Sequence, residues 1–111
     1  MIVINTSPGN VVSIVIQTVD GYGSRLDGYQ APTLDSILNP NSIDILGTTH
    51  TMSRLSTGLY KRSVTMPSSS SSIGTYIATV SWPHPTYFYI QYETYVIQVS
   101  MPFGNSAVSP A

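Results

Sequence analysis

The sequence predicts an all-β protein that folds as a single antiparallel β-sandwich. Three observations support this fold class. Apolar residues do not recur at the 3.6-residue spacing of a helix, β-branched residues are abundant, and turn signals occur about every ten residues. A chain of 111 residues can bury one hydrophobic core, so we expect one domain.

The first strands are predicted from alternation and from the turns that separate them. The β-branched run VVSIVIQTV covers residues 11–19, and the Gly-rich stretch that follows it contains two Asp-Gly turns, at Asp20 and Asp27. TLDSILN, residues 33–39, alternates and ends in the turn NPNS. SIDILG, residues 42–47, predicts a short strand, and TTHTMSRLSTG after it is expected to cross or edge the sheets.

A ten-residue motif, which we call the repeated phrase, occurs twice in similar form, as GLYKRSVTMP at residues 58–67 and as GTYIATVSWP at residues 74–83. Since alternate residues of a strand share a face, each copy has one mostly apolar side that we expect to point into the core. These inward positions are Tyr60, Arg62, Val64 and Met66 in the first copy, and Tyr76, Ala78, Val80 and Trp82 in the second. We interpret the copies as two consecutive strands and not as a duplicated module. Ile77 is apolar on the outward side, which predicts that something packs there.

The opening of the second copy predicts a tyrosine corner. In immunoglobulin-like sandwiches, a tyrosine near the start of the penultimate strand often donates a hydrogen bond to backbone upstream of it. Tyr76 occupies this position, and Gly74 permits the tight entry into the strand. We therefore expect an immunoglobulin-like sandwich of about seven strands over residues 11–101, with extended arms at residues 1–10 and 102–111.

Composition excludes several classes of function. Charged residues make up 8% of the chain, where about 25% is usual, and the net charge is −1. Nucleic-acid binding requires clustered Lys and Arg, and membrane-surface binding requires a basic amphipathic segment, so we expect neither partner. The start, MIVINTSPGNVV, lacks the features of a secretory signal. A weakly charged surface resists association poorly, which favours a chain packed against other proteins.

Few residues are suited to catalysis or metal binding. The chain has no cysteine, and neither His50 nor His84 has a second ligand at metal-binding spacing. Asp20 and Asp27 are explained by Asp-Gly turns better than by a calcium site, and Arg25 could pair with either of them and brace the loop. We therefore expect no enzyme activity, no cofactor and no metal, with His84 as a loop residue between two prolines.

The stretch YFYIQYETY is the strongest candidate for a functional surface. Consecutive aromatic residues cannot all face one core, and tyrosine is enriched at protein interfaces. Tyr87, Phe88, Tyr89 and Tyr92 are therefore candidate interface residues. Two other interpretations remain open, namely a sugar-stacking platform built on Tyr87, Tyr89 and Tyr92, and an aromatic flank of the core.

The ordered series VSIVIQTVDGYGSRLDGY, PTLDSILNPN, TGLYKRSVTMP, IGTYIATVSW and ETYVIQVSMPFG resembles immunoglobulin-like domains of tailed-bacteriophage virion proteins. This resemblance implies a non-enzymatic structural protein of the capsid, neck or tail, assembled in the host cytoplasm and located in the virion. The implied partners are other virion proteins and copies of the chain itself, which would meet at sheet edges or at the terminal arms. The alternative is a carbohydrate- or receptor-binding adhesion module whose partner is a host-surface glycan.

Overall fold

The computed structural model describes residues 2–69 and 72–101. No α-helix occurs within these ranges, and hence none that could cross a bilayer. The regular structure of the described residues consists of eight strands: β1 (Ile2–Thr6), β2 (Val11–Gln17), β3 (Thr33–Leu38), β4 (His50–Thr51), β5 (Ser53–Ser56), β6 (Leu59–Thr65), β7 (Gly74–Pro83) and β8 (Ile90–Val99).

The strands form two sheets with one hydrophobic core, so the predicted all-β sandwich is confirmed. The larger sheet has the order β1-β8-β7-β3-β4, and the smaller has the order β2-β6-β5. All neighbouring strands are antiparallel except β1 and β8, which are parallel. Residues from both sheets contribute to a single buried cluster, which includes Ile14, Leu34, Val80 and Ile97.

Half of the N-terminal arm predicted over residues 1–10 forms a strand, β1. Residues 2–6 pair in register with Tyr95–Val99 of β8, and Ile4 packs partly buried against the core. The sequence did not indicate this strand, because its five residues are too few to show a clear alternation of apolar and polar side chains. The predicted C-terminal arm, residues 102–111, lies outside the described residues.

The two copies of the repeated phrase lie in different sheets. The first copy forms β6 in the smaller sheet, the second forms β7 in the larger, and their apolar sides belong to the same core. The predicted inward residues of the second copy are all buried. In the first copy, Tyr60 and Met66 are buried and Val64 is partly buried.

Arg62 is the polar member of the inward series and reaches between the sheets. Its Nη2 donates a hydrogen bond to Nδ1 of His50 on β4, with a distance of 2.9 Å between the two nitrogens. On the outer face of the larger sheet, Ile77 lies in register with Leu38 on one side and Val96 on the other. The apolar neighbours of Ile77 are therefore strands of its own sheet. Ile77 remains 38% exposed, because no described segment packs over this face.

The predicted tyrosine corner is confirmed. The Tyr76 hydroxyl donates a hydrogen bond of 2.6 Å to the carbonyl oxygen of Ser72, within the buried part of the chain. Gly74 has φ of 143°, and a Cβ at this position would lie 2.6 Å from Cγ of Pro40. Both observations explain why a glycine precedes the tyrosine, since other residues rarely adopt this φ and would contact the proline.

A second buried tyrosine connects the two sheets directly. The Tyr95 hydroxyl, on β8, donates a hydrogen bond of 2.7 Å to the carbonyl oxygen of Val15 on β2. Burial, and next the negative charge of Glu93, raises the pKa of Tyr95 to about 12. The neutral phenol is therefore favoured in the folded protein.

Replacing Tyr76 with Phe is expected to lower the free energy of unfolding by about 1–2 kcal/mol, because the Ser72 carbonyl loses its donor while remaining buried. Chemical denaturation measures this change. Tyr92→Phe is the matched control, since Tyr92 is 68% exposed, and should change stability by less than about 0.5 kcal/mol. Equal stability of the two variants would show that the corner bond contributes nothing.

The raised pKa of Tyr95 predicts a loss of stability in alkali. The neutral phenol's contribution is fully present below the unfolded pKa of about 10, falls as the unfolded chain ionises, and is gone above the folded value. The loss between these limits is at most about 2–3 kcal/mol. Denaturation curves measured across this range should fall less steeply for Tyr95→Phe, and an identical slope would contradict the prediction.

Candidate functional site

The candidate site is built on the loop between β7 and β8, residues 84–89. Two backbone hydrogen bonds close this loop, from the N–H of His84 to the Tyr89 carbonyl at 2.8 Å and from the N–H of Phe88 to the His84 carbonyl at 2.9 Å. Phe88 has a positive φ of 65°, which is uncommon for a large residue. The loop therefore has a defined conformation that turns its aromatic side chains outward.

His84 organises this loop from within. It is 5% exposed, and its Nδ1 accepts hydrogen bonds from the backbone N–H groups of Thr86 and Tyr87, at 3.0 and 3.1 Å. Its ring stacks on the rings of Tyr87 and Tyr89, with centroid distances of 4.8 and 5.1 Å. Because Nδ1 accepts two bonds, it carries no proton in this arrangement.

The role of His84 goes beyond that of the loop residue expected from the sequence. The only sign of this role in the sequence was the pair of flanking prolines, Pro83 and Pro85, which restrict the backbone around His84. In the structure both prolines are buried together with His84. The stacking partners are three and five residues away along an irregular turn, and no helix or strand periodicity encodes such contacts.

The long loop between β2 and β3 packs against the β7–β8 loop. The N–H of Gly21 donates a hydrogen bond of 3.2 Å to the Thr86 hydroxyl. A Cβ on Gly21 would lie 3.0 Å from Cζ of Tyr87, so only glycine fits this approach without displacement. The rings of Tyr29 and Phe88 meet edge to face with centroids 5.7 Å apart.

These contacts create an exposed aromatic surface, which we define as Tyr29, Tyr87, Phe88 and Tyr89. Tyr87, Phe88 and Tyr89 are 62%, 60% and 55% exposed, so they do not form an aromatic flank of the core. Tyr92 belongs to β8 and points to the outer face of the larger sheet, next to this loop in sequence. The structure thus brings three of the four candidate interface residues into one loop and adds Tyr29, which sequence spacing did not indicate.

Asp27 fixes the base of the β2–β3 loop. Its Oδ1 accepts hydrogen bonds from the Gly58 N–H at 2.7 Å and the Tyr60 hydroxyl at 3.0 Å, and its Oδ2 accepts one from Nε of Arg54 at 2.9 Å. The cation that pairs with Asp27 is therefore Arg54 and not Arg25. The second acid, Asp20, accepts bonds from the N–H groups of Tyr22 and Ser24 and so shapes its own turn.

The pKa values of Asp27 and Tyr60 are both shifted from their ordinary values. The Gly58 N–H, followed by Arg54 and Tyr60, holds the pKa of Asp27 below its ordinary value, although desolvation opposes the shift. Burial, and next the hydrogen bond to Asp27, raises the pKa of Tyr60. The charged carboxylate and the neutral phenol are therefore the forms that hold the loop to the β5–β6 turn.

The described residues offer little chemistry besides this surface. They contain no group of three or more His, Asp or Glu side chains placed to hold a metal ion. Two surface depressions, of 340 and 480 Å³, have no carboxylate and no histidine among their described lining residues. The absence of catalysis and of a cofactor stays a prediction.

The fold and the site define the protein as an all-β sandwich with an aromatic surface on the loops at one end. Comparisons with protein-family models, with curated proteins and with solved structures found no match.

Asp27→Asn is expected to lower the melting temperature at pH 7, because Arg54 then faces a neutral group. The variant should also lose stability less steeply in acid. The contribution of a carboxylate with a depressed pKa is present above its unfolded pKa of about 3.8 and disappears as the pH falls through the lower folded value. Melting curves between about pH 5 and pH 2 measure both effects.

Asp35→Asn is the control for this prediction, since Asp35 accepts a hydrogen bond from the Thr33 hydroxyl and not from a cation. It should retain the steep loss of stability in acid. If Asp27→Asn and the wild-type chain melt in parallel across the acid range, the network around Asp27 does not contribute.

Proposed function

We propose that the chain is a non-catalytic structural protein of a tailed-phage virion, an immunoglobulin-like domain attached in many copies to the capsid, neck or tail by protein–protein contacts. The observation that carries the proposal is the exposed aromatic surface on a domain with very few charges. Aromatic residues are enriched at interfaces and charged residues are depleted from their centres. Other virion proteins and copies of the chain are the partners, and the virion is its location.

The strand order supports the immunoglobulin-like part of this proposal. If β2 to β8 are lettered B, C, C′, D, E, F and G, the smaller sheet has the order B-E-D and the larger contains G-F-C-C′, as in immunoglobulin domains. The tyrosine corner then falls at the start of strand F, where such domains have it. The β2–β3 and β7–β8 loops correspond to two of the loops that bind antigen in variable domains.

The contacts that hold the aromatic surface in place support a binding role. His84 stacks on two of its rings and the Asp27 network anchors the neighbouring loop, so little side-chain entropy is lost when a partner covers it. Tyrosine and phenylalanine supply large contact areas with two side-chain torsions each. The aromatic surface therefore suits a partner protein that presents complementary apolar groups.

A carbohydrate- or receptor-binding module is the second candidate function. The exposed rings of Tyr87 and Tyr89 favour it, since aromatic faces can stack on a sugar ring. Each of these rings already stacks on His84. Among described residues, Asp20 of the adjoining loop already accepts two backbone hydrogen bonds, which leaves few directional groups for hydroxyls.

Replacing Tyr87, Phe88 and Tyr89 with Ser is expected to remove the chain from assembled particles without unfolding it, because these side chains lie outside the core. The measurement is mass spectrometry of purified tailed-phage particles produced by the host of this sequence. The wild-type chain should occur in a fixed ratio to the major capsid protein. The loss of three interface aromatics should weaken attachment at least about a hundredfold.

Ile43→Ser is the matched control, because Ile43 is also an exposed apolar residue, with 60% of its surface accessible. It follows β3, and the last residue of β3, Leu38, pairs with Ile77 near the start of β7, whereas the aromatic loop follows the end of β7. This variant should remain on the particles. Absence of the wild-type chain from purified particles would overturn the proposal. Glycan-array binding that the triple variant loses would establish the alternative module instead.

A further inference from the structure

We propose that the free edge of β2, residues 11–17, pairs antiparallel with the same edge of a second copy of the chain, and so joins two small sheets across a two-fold axis. This contact deepens the proposed function and rests on it for its role in assembly. Four properties of β2 support this contact: the direction of its backbone groups, its length, the exposure of its side chains and the absence of charge.

The backbone groups of alternate β2 residues point to the two sides of the strand. Asn10 accepts a hydrogen bond from the Met66 N–H, and the Thr18 N–H donates to the Gly58 carbonyl, so even-numbered residues face β6. The N–H and C=O groups of Val11, Ser13, Val15 and Gln17 therefore face the other side. No described strand lies there, since β2 is the first strand in the order β2-β6-β5.

The β2 edge is the longest edge of the described sandwich. It has seven residues, whereas β4 has two residues and β5 has four with a register shift. The β1 edge has five residues and ends shortly before Pro8. Natural edge strands are usually protected by charges, prolines or bulges, and β2 contains none of these.

A two-fold axis through Ile14 makes this edge complementary to itself. In that register Val11 lies opposite Gln17 of the second copy and Ser13 lies opposite Val15, so all four outward residues face a partner. Each opposite pair can exchange two hydrogen bonds. The Tyr95 hydroxyl already donates to the Val15 carbonyl, but a carbonyl oxygen has two lone pairs and can accept a second bond.

The side chains of the same four residues favour a second copy as the occupant. Val11 and Val15 are 62% and 43% exposed, and the axis places Val15 diagonal to Val15 of the other copy. The stretch from residue 1 to residue 19 contains no charged side chain, and the net charge of the chain is −1. Electrostatic repulsion between copies at this edge is therefore weak.

The first test compares Ser13→Pro with Ser13→Ala by sedimentation equilibrium from about 10 µM to about 1 mM. The wild-type chain is expected to form dimers in this range. Proline removes an N–H that points away from β6, so the fold is retained, as on other edge strands. We expect Ser13→Pro to raise the dimer dissociation constant at least about tenfold, and Ser13→Ala to leave it nearly unchanged.

The second test uses charge and depends on the register. S13K/V15K should be monomeric because the introduced ammonium groups face each other across the axis, and S13E/V15E should be monomeric for the same reason. An equimolar mixture of the two should form a one-to-one dimer. Circular dichroism and melting curves of each variant confirm that the monomer remains folded.

Several results would overturn the β2 contact. A wild-type chain that stays monomeric at about 1 mM would do so, as would a dimer that survives Ser13→Pro. A monomer whose melting temperature drops with Ser13→Pro would indicate that the edge is covered from within the chain. The triple serine variant of the aromatic loop should dimerise normally, so failure of the virion proposal and failure of this contact are separable.

Discussion

The structure depends on one constraint, that each sheet has one face that carries the buried apolar residues and is stable only when the other sheet covers this face. The repeated phrase meets this constraint twice, once from each side. On one side Tyr60 of β6 and Met66 just after this strand are buried, and on the other side Tyr76 and Val80 of β7 are buried. The Tyr95 hydroxyl adds a direct bond from β8 to the β2 backbone. Hydrophobic burial between the sheets is thus the main source of stability, and the Tyr95 hydroxyl helps to fix how the sheets sit on one another.

Once the sandwich is closed, its loops can be specialised without loss of the core. The β2–β3 and β7–β8 loops meet at one end, and each is held by a buried or partly buried polar group. Asp27 holds the first loop to the β5–β6 turn, and His84 holds the second by accepting two backbone hydrogen bonds. The β5–β6 turn supplies the hydrogen bonds of Asp27 and the loop backbone supplies those of His84, so neither group depends on the aromatic rings, which face outward. This arrangement suits a surface that binds by apolar contact and shape.

The aromatic surface and the β2 edge differ in the kind of partner they suit. Exposed rings on irregular loops fit a specific protein surface and carry no symmetry requirement. An open strand offers only repeated backbone donors and acceptors, which a second copy of the same strand satisfies equally well. One surface can therefore attach the domain while the other joins domains to each other. The scarcity of charge is consistent with both roles, since neither surface carries an ion pair that a partner would have to desolvate.

The sequence by itself determined the longer strands, the side of each that faces the core, and the tyrosine corner, whereas the short strand predicted over residues 42–47 is wrong because only an isolated bridge from Asp44 to Leu38 forms there. These features are encoded within about ten residues, by alternation and by turn chemistry. Only the tertiary structure decided that β1 pairs in parallel with β8, that β6 and β7 lie in different sheets, and that Arg54 binds Asp27. It also decided that His84 is buried between two tyrosine rings. Such contacts join residues far apart in the chain or across an irregular turn, so their partners are chosen by how the two sheets and their loops pack and not by any local pattern.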